Sequence, residues 1–128
     1  MAIPENEKQT LLETFKAFLR IPSVSTAPEH KADVLRAAAF VADKLRGSGL
    51  QDVHLMEGAG HPMVYGEWLG APGKPTILFY GHYDVQPPEP LDEWISPAFE
   101  PQVRNNNIQG WSHSKWNVAI SAFLLSRR

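Results

Sequence analysis

The chain has 128 residues and a formal net charge of -2, values that are typical of one globular domain. Hydrophobic residues make up 43% and charged residues 20%, a composition that favours an ordinary folded chain over disorder. Arg127 and Arg128 form the longest run of basic residues, and there is no cysteine. These features argue against a nucleic-acid partner, and they exclude disulfide bonds and thiolate metal ligands.

The N-terminal segment and the apolar runs argue against a membrane partner. Residues 1–10, MAIPENEKQT, lack the basic start and the apolar stretch of a signal peptide. No apolar run approaches the roughly 20 residues that a transmembrane helix requires. We therefore expect a cytoplasmic protein.

Apolar residues at helical spacing predict two helices near the N-terminus. The first extends from Glu5 to Arg20 and is followed by Pro22, which breaks the helical pattern. The second is predicted from about Ala27 to Arg46. Thr26 and Glu29 have the spacing of a capping box at its start. At its end, the left-handed residue would be one of two glycines, Gly47 or Gly49.

Three strands are predicted after the second helix. Residues 51–57 alternate between apolar and polar side chains, and residues 61–70 are rich in β-branched and aromatic side chains. The third segment, TILFYG at 76–81, is apolar throughout, which is typical of a strand covered on both faces. Residues 86–101 predict a packed loop with Trp94 and Phe99 as anchors. The expected fold is α/β, with two helices followed by about three strands of a mixed sheet.

A histidine and an aspartate directly follow the third predicted strand. In ILFYGHYDVQPPEP, residues 77–90, His82 and Asp84 are two positions apart. Such residues in an extended chain point to the same side, and ligands of α/β sheets gather beyond the ends of strands. His82 is therefore a candidate zinc ligand, and Asp84 would either orient its imidazole or bind the metal itself. The alternative is a loop histidine that forms an ion pair with a neighbouring aspartate.

The sequence around this pair has several further features. In residues 77–106, an apolar segment ends in Gly-His-x-Asp-Val and is followed by Pro87, Trp94 and the segment Pro97–Pro101. In these features the chain resembles the dinuclear-zinc aminoacylase and dipeptidase family. This family includes carnosine dipeptidases, acetylornithine deacetylases, succinyl-diaminopimelate desuccinylases and glutamate carboxypeptidases. The resemblance extends from about Glu7 to Ile108 and is strongest to the dipeptidase branch.

The resemblance implies a hydrolase of peptide or acyl-amide bonds that uses two zinc ions, although cobalt or manganese also suits nitrogen and oxygen ligands. His82 would bind one zinc ion, and Asp84 would be the catalytic-site residue that orients it. A dipeptide or an N-acyl amino acid would be the substrate. Residues 1–128 would form the N-terminal part of a catalytic domain, incomplete and without the family's lid and dimerisation domain.

The sequence departs from the family pattern after Ile108. The family carries Gly-Arg-Gly-x-x-Asp-x-Lys-Gly, whose aspartate bridges both metals, and an ungapped count places Lys115 at that position. Because a cation replaces the bridging carboxylate, we expect the isolated chain to be inactive. Residues 109–116 are either a genuine divergence or the product of a reading-frame error. Beyond them, NVAISAF at 117–123 predicts a return to a helix of the family.

Two alternative functions stay open. The chain could be a catalytically inactive remnant that serves as a binding or interaction module, with self-association through exposed core residues. A mononuclear metal site could also form if His113 joined His82 and Asp84. The other histidines are predicted to be surface residues, because they lie at a helix start, in an alternating strand and in a turn: His30, His54 and His61.

Overall fold

Two helices and a series of short strands make up the described part of the chain. The computed structural model describes residues 4–105, 107–111 and 121–125. The helices are α1, Glu5–Leu19, and α2, Lys31–Gly47. The strands in the described ranges are β1 Gln51–Met56, β2 Met63–Glu67, β3 Thr76–Tyr80, β4 Gln102–Arg104, β5 Asn107–Gln109 and β6 Ser121–Leu125. Within these ranges, no helix combines the length and the apolar character needed to span a bilayer.

The start of α2 differs from the prediction. A 3-10 turn at Pro28–His30 precedes the helix, and the amide of His30 donates to the carbonyl of Ala27 at 3.0 Å. No side chain caps either the turn or the helix, so the predicted capping box of Thr26 and Glu29 is wrong. The reason is that the tighter 3-10 turn satisfies this amide with a backbone carbonyl in place of a side-chain oxygen.

The end of α2 confirms the prediction of a left-handed glycine. Gly49 has a φ of 86° and lies two residues beyond Gly47, the last helical residue. The amides of Gly49 and Leu50 donate to the carbonyls of Arg46 and Leu45 at 3.0 and 3.1 Å. The carbonyls of the last helical turn are therefore satisfied by backbone donors.

Gly49→Ala is expected to lower the free energy of unfolding by about 1 kcal/mol, because an L-residue is strained at positive φ. Gly47→Ala is the matched control, since Gly47 is helical and an added methyl group meets no atom within 4 Å. Alanine there should raise stability by up to about 1 kcal/mol. Urea denaturation measures both variants, and effects of the same sign would contradict the assignment.

The strands form three two-stranded antiparallel sheets, β1–β2, β3–β6 and β4–β5. Within the described ranges, parallel strand pairing is limited to one isolated β-bridge, between Val24 and Val85. The predicted α/β class is confirmed, while the described strands are divided among three sheets instead of one. This bridge joins the segment Ile21–Ser25 to the chain that follows β3.

The helix predicted for residues 117–123 is wrong at Ser121–Phe123, which belong to β6. Ser121 lies opposite Tyr80 and Phe123 opposite Leu78 in the antiparallel register with β3. Pairing with another strand overrides a local helical pattern, because cross-strand contacts dominate strand stability. Residues 117–120 lie outside the described part of the chain.

The core lies along one face of α2. Its buried residues recur at intervals of three and four: Val34, Ala37, Ala38 and Ala42. The three alanines are small, so the helix can approach the β1–β2 sheet against which it packs. Other apolar residues of the core lie outside the helices or at their ends: Leu19, Ile21, Val24, Val85 and Ala98.

The third strand is exposed, so the prediction that both of its faces are covered is wrong for the described residues. All five residues of β3 are exposed, including its large apolar side chains Ile77, Leu78, Phe79 and Tyr80. The physical reason lies in the packing of α2, which contacts β1 and β2 and leaves both faces of β3 accessible.

Candidate functional site

The candidate site lies directly beyond the end of β3. This strand ends at Tyr80, and the segment from His82 to Val85 follows. The amide of Val85 donates to the carbonyl of Ser23 at 2.9 Å, and the buried hydroxyl of Ser23 donates to the carbonyl of Tyr83 at 2.8 Å. The backbone is thus fixed on both sides of Asp84.

His82 and Asp84 are in contact, as their spacing predicts. The ring Nδ1 of His82 lies 3.2 Å from Oδ1 of Asp84 and 3.2 Å from its backbone carbonyl oxygen. Both partners accept hydrogen bonds, so Nδ1 is the donor. Both side chains are also partly exposed. The arrangement places the imidazole at the surface, with Nδ1 as the donor to these two oxygens of Asp84.

The carboxylate of Asp84 has a second partner that the sequence did not reveal. The hydroxyl of Ser25 donates to Oδ2 at 2.6 Å. Partial burial raises the pKa of the Asp84 carboxyl, but the bonds from Ser25 and its own backbone and the proximity of His82 lower the pKa by more. The net result is a pKa below the ordinary value of 3.8, so the group is anionic near neutral pH.

A turn from another part of the chain lies against the same segment. His61 Nε2 donates to the carbonyl of Ser25 at 2.9 Å, and the Tyr83 hydroxyl donates to the carbonyl of Pro62. Burial, followed by the negative charge of Asp84, raises the pKa of Tyr83 above its usual value of 10.0. The phenol therefore keeps its proton and remains a donor.

His30 and His54 have local partners. His30 Nδ1 lies 2.9 Å from Asp33 Oδ2, and His54 Nδ1 lies 2.9 Å from the carbonyl of Asp52. Within residues 4–105, 107–111 and 121–125, no group of three or more potential metal ligands occurs. His113 and Lys115 lie outside these ranges, so the mononuclear site and the substituted bridging position both stay predictions.

Comparisons with known proteins identify the family of the chain. No protein-family model matches the chain. The Cys-Gly metallodipeptidase DUG1 of Candida albicans is 33% identical over 107 residues, which cover 74% of this chain and 22% of that protein. A succinyl-diaminopimelate desuccinylase of Xanthomonas campestris is 34% identical over 89 residues, covering 69% of this chain and 23% of the relative.

A solved structure supports the same grouping. The dipeptidase Dug1p of Saccharomyces cerevisiae has a TM-score of 0.68 and 25% sequence identity. The match covers 78% of this chain and 23% of the Dug1p chain. The chain belongs to the dipeptidase and deacylase family of metallopeptidases. It spans less than a quarter of the length of each of these relatives.

The family resemblance implies zinc, and the described residues fit part of a zinc site. A neutral imidazole whose Nδ1 donates to a carboxylate is a common arrangement for a zinc-binding histidine. His82 and Asp84 provide this pair. Catalytic zinc sites use three protein ligands, and the described ranges do not contain a group of that size. The pair therefore fits one ligand and the carboxylate that orients it.

The loop after the site is held by two tryptophans. The Trp94 indole donates to the carbonyl of Pro88 at 2.9 Å, which confirms its predicted role as a loop anchor. Trp111 donates from its indole to the carbonyl of Gln86 at 2.6 Å, and the two rings pack edge to face at 5.2 Å. Trp111 occupies the position of the arginine in the family motif. This substituted residue therefore contacts the loop beside the site.

Proposed function

We propose that the chain is part of the catalytic domain of a metal-dependent hydrolase of peptide or acyl-amide bonds, and that residues 1–128 alone are inactive. The hydrogen-bonded pair of His82 and Asp84 beyond β3 carries the proposal. Relatives named as a Cys-Gly metallodipeptidase and a succinyl-diaminopimelate desuccinylase support a dipeptide or an N-acyl amino acid as substrate. The proposed compartment is the cytoplasm.

In this proposal His82 binds a zinc ion through Nε2, and Asp84 keeps the imidazole in the required tautomer and orientation. Cobalt or manganese would suit the same type of ligand. When bound, such an ion lowers the pKa of a coordinated water and polarises a carbonyl group. The protein's own contribution is to fix the direction of the imidazole, through a carboxylate that is itself held by a hydrogen bond.

The proposed inactivity depends on the ligands that this sequence provides. His82 and Asp84 supply one ligand and its orienting group, while Lys115 replaces the carboxylate that bridges two metals in the family motif. A cation at the meeting point of two dications opposes their binding. We therefore expect no measurable turnover of Cys-Gly or succinyl-diaminopimelate by the purified chain with added zinc. Turnover that is lost in His82→Ala would contradict the inactivity.

A chimera tests the hydrolase assignment itself. Residues 76–90 of this chain would replace the matching segment of the Candida metallodipeptidase. The chimera is expected to retain dipeptidase activity, and His82→Ala within it is expected to lower kcat by at least about 100-fold, because a metal ligand is lost. A second chimera carrying residues 51–67 is the control, in which His54→Ala should have little effect. A folded first chimera without activity would argue against the assignment.

The second candidate function is that of a catalytically inactive interaction module. The observation that favours it is the exposed apolar surface of β3, where Phe79 is 68% exposed and Tyr80 63%. A strand with two uncovered apolar faces is a common feature of association surfaces. In this alternative the chain associates with itself, and the pair of His82 and Asp84 has only a structural role.

Phe79→Lys is expected to weaken self-association of the chain by about tenfold or more, because an apolar contact is replaced by a charge. Met63→Lys is the control, since Met63 is exposed to a similar degree, 61%, but lies on β2. Sedimentation velocity as a function of protein concentration measures both. A wild-type chain that stays monomeric at all concentrations would argue against the module.

Resequencing the coding DNA from the codon of Asn105 to beyond that of Arg128 separates the two candidates. If a single-base correction restores Gly-Arg-Gly-x-x-Asp in an open frame, the hydrolase is favoured and the expected inactivity applies only to the sequence as it stands. If the DNA confirms Trp111 to Trp116, the interaction module is favoured.

A further inference from the structure

We propose that Ser25 is a positioning residue that fixes the tautomer and direction of His82 through the carboxylate of Asp84. The Ser25 hydroxyl donates to Oδ2 at 2.6 Å, and His82 Nδ1 lies 3.2 Å from Oδ1. Each oxygen of one carboxylate thus has a different partner. The inference rests on the proposed role of His82 as a metal ligand. It adds Ser25 to the candidate site, although Ser25 is 59 positions away from Asp84 in sequence.

The position of Ser25 is itself fixed from several directions. The neighbouring Val24 forms a parallel bridge with Val85, and the Ser23 hydroxyl bonds the carbonyl of Tyr83. On the other side, His61 donates to the carbonyl of Ser25 at 2.9 Å. Because its backbone is held at these points, the Ser25 side chain presents its hydroxyl to Asp84 with little freedom.

The bond from Ser25 restricts rotation of the Asp84 carboxylate. A hydroxyl that donates to an ionised carboxylate at this short distance makes a charge-assisted bond, which is stronger than a neutral one. Without it, the partly exposed carboxylate can rotate towards water, and its Oδ1 no longer stays in line with Nδ1 of His82. The Nδ1–H tautomer would then lose the charged one of its two acceptors and keep only the backbone carbonyl of Asp84, so the preference for this tautomer would weaken.

The test measures the tautomer of His82 in the whole chain without any metal. Ring ¹⁵N shifts of ¹⁵N-histidine-labelled protein at one fixed alkaline pH distinguish the Nδ1–H from the Nε2–H form. In the wild type we expect the Nδ1–H form to predominate. Ser25→Ala should shift the ring towards the Nε2–H form, and Ser25→Thr should restore the wild-type signal because it keeps the hydroxyl. If Ser25→Ala fails to fold, Ser25→Cys weakens the donor by changing a single atom and should shift the signal in the same direction.

Ser23→Ala is the matched control. It removes a hydrogen bond to the same segment, but that bond ends on the carbonyl of Tyr83 and does not involve the carboxylate. A lower stability with an unchanged His82 tautomer is therefore expected. The inference is overturned if folded Ser25→Ala keeps the wild-type tautomer, or if Ser23→Ala shifts it equally.

A cobalt titration separates this inference from the proposed function. Residues that orient a metal-binding histidine typically change metal affinity by about 10- to 100-fold, so Ser25→Ala is expected to weaken cobalt binding by such a factor in a Candida metallodipeptidase chimera that carries residues 21–25 and 76–90 of this chain. If the tautomer in the whole chain responds to Ser25, while His82→Ala leaves cobalt binding by the chimera unchanged, the result would support the positioning role and count against the metal-binding role of His82. An unchanged tautomer would count against the positioning role alone.

Discussion

Replacing Val34 with aspartate is expected to abolish cooperative folding of the chain. Val34 has no exposed surface and lies on the face of α2 that forms the core. An aspartate there would bury a carboxylate among apolar side chains without a partner. An uncompensated buried charge costs about 3–5 kcal/mol, which is a large part of the roughly 5–15 kcal/mol that stabilises a typical domain.

The neighbouring residue provides the control for this substitution. Leu35 is on the same helix but is 43% exposed, so a carboxylate at that position stays hydrated. Leu35→Asp is expected to change the free energy of unfolding by less than about 1 kcal/mol. Circular dichroism during urea denaturation measures both variants. Similar losses in the two would show that Val34 is not in the core, while a folded Val34→Asp protein would contradict the packing of α2.

Local sequence patterns predicted the two helices correctly, but they did not predict the exposure of β3. The helical spacing of apolar residues and the glycine after α2 are properties of short segments, and both correspond to the observed helix. Burial of β3 depends instead on which elements pack against it. The apolar run at 76–81 indicated two covered faces, but α2 packs on β1 and β2, and the strand remains exposed.

The same distinction applies to the candidate site. The contact between His82 and Asp84 follows from a spacing of two in an extended chain, so the sequence predicted it. Ser25 and His61 belong to the site because distant segments fold together, and no local pattern indicates such contacts.

The environment of Trp111 bears on whether residues 109–116 are a genuine divergence. Its amide donates to the carbonyl of Ala98 at 2.6 Å, and its indole bonds Gln86 and packs on Trp94. A methyl group added at Gly110 would come within 3.1 Å of the Pro101 backbone, so the glycine permits a close approach. Only the indole contacts depend on the tryptophan itself, because another residue at 111 could make the same backbone bond, and these indole contacts favour a divergent residue retained by the fold.

Trp111→Ala is therefore expected to lower the free energy of unfolding by about 2 kcal/mol, roughly half of the loss that is typical for a fully buried tryptophan, because the ring is only partly buried. Trp68→Ala is the control, since Trp68 is 60% exposed and its removal should cost much less. A double-mutant cycle of Trp94→Ala with Trp111→Ala should give a coupling energy of about 1 kcal/mol for the edge-to-face pair.

Thermal and urea unfolding, followed by near-ultraviolet circular dichroism, measure these losses and the aromatic packing together. A loss for Trp111→Ala that clearly exceeds the loss for Trp68→Ala would favour divergence, because the substituted motif then contributes to the stability of the loop beside the site. Equal losses, with no coupling between Trp94 and Trp111, would remove this support and favour the reading-frame error. A stabilising tryptophan at the position of the motif arginine would therefore favour the proposed interaction module over the proposed hydrolase.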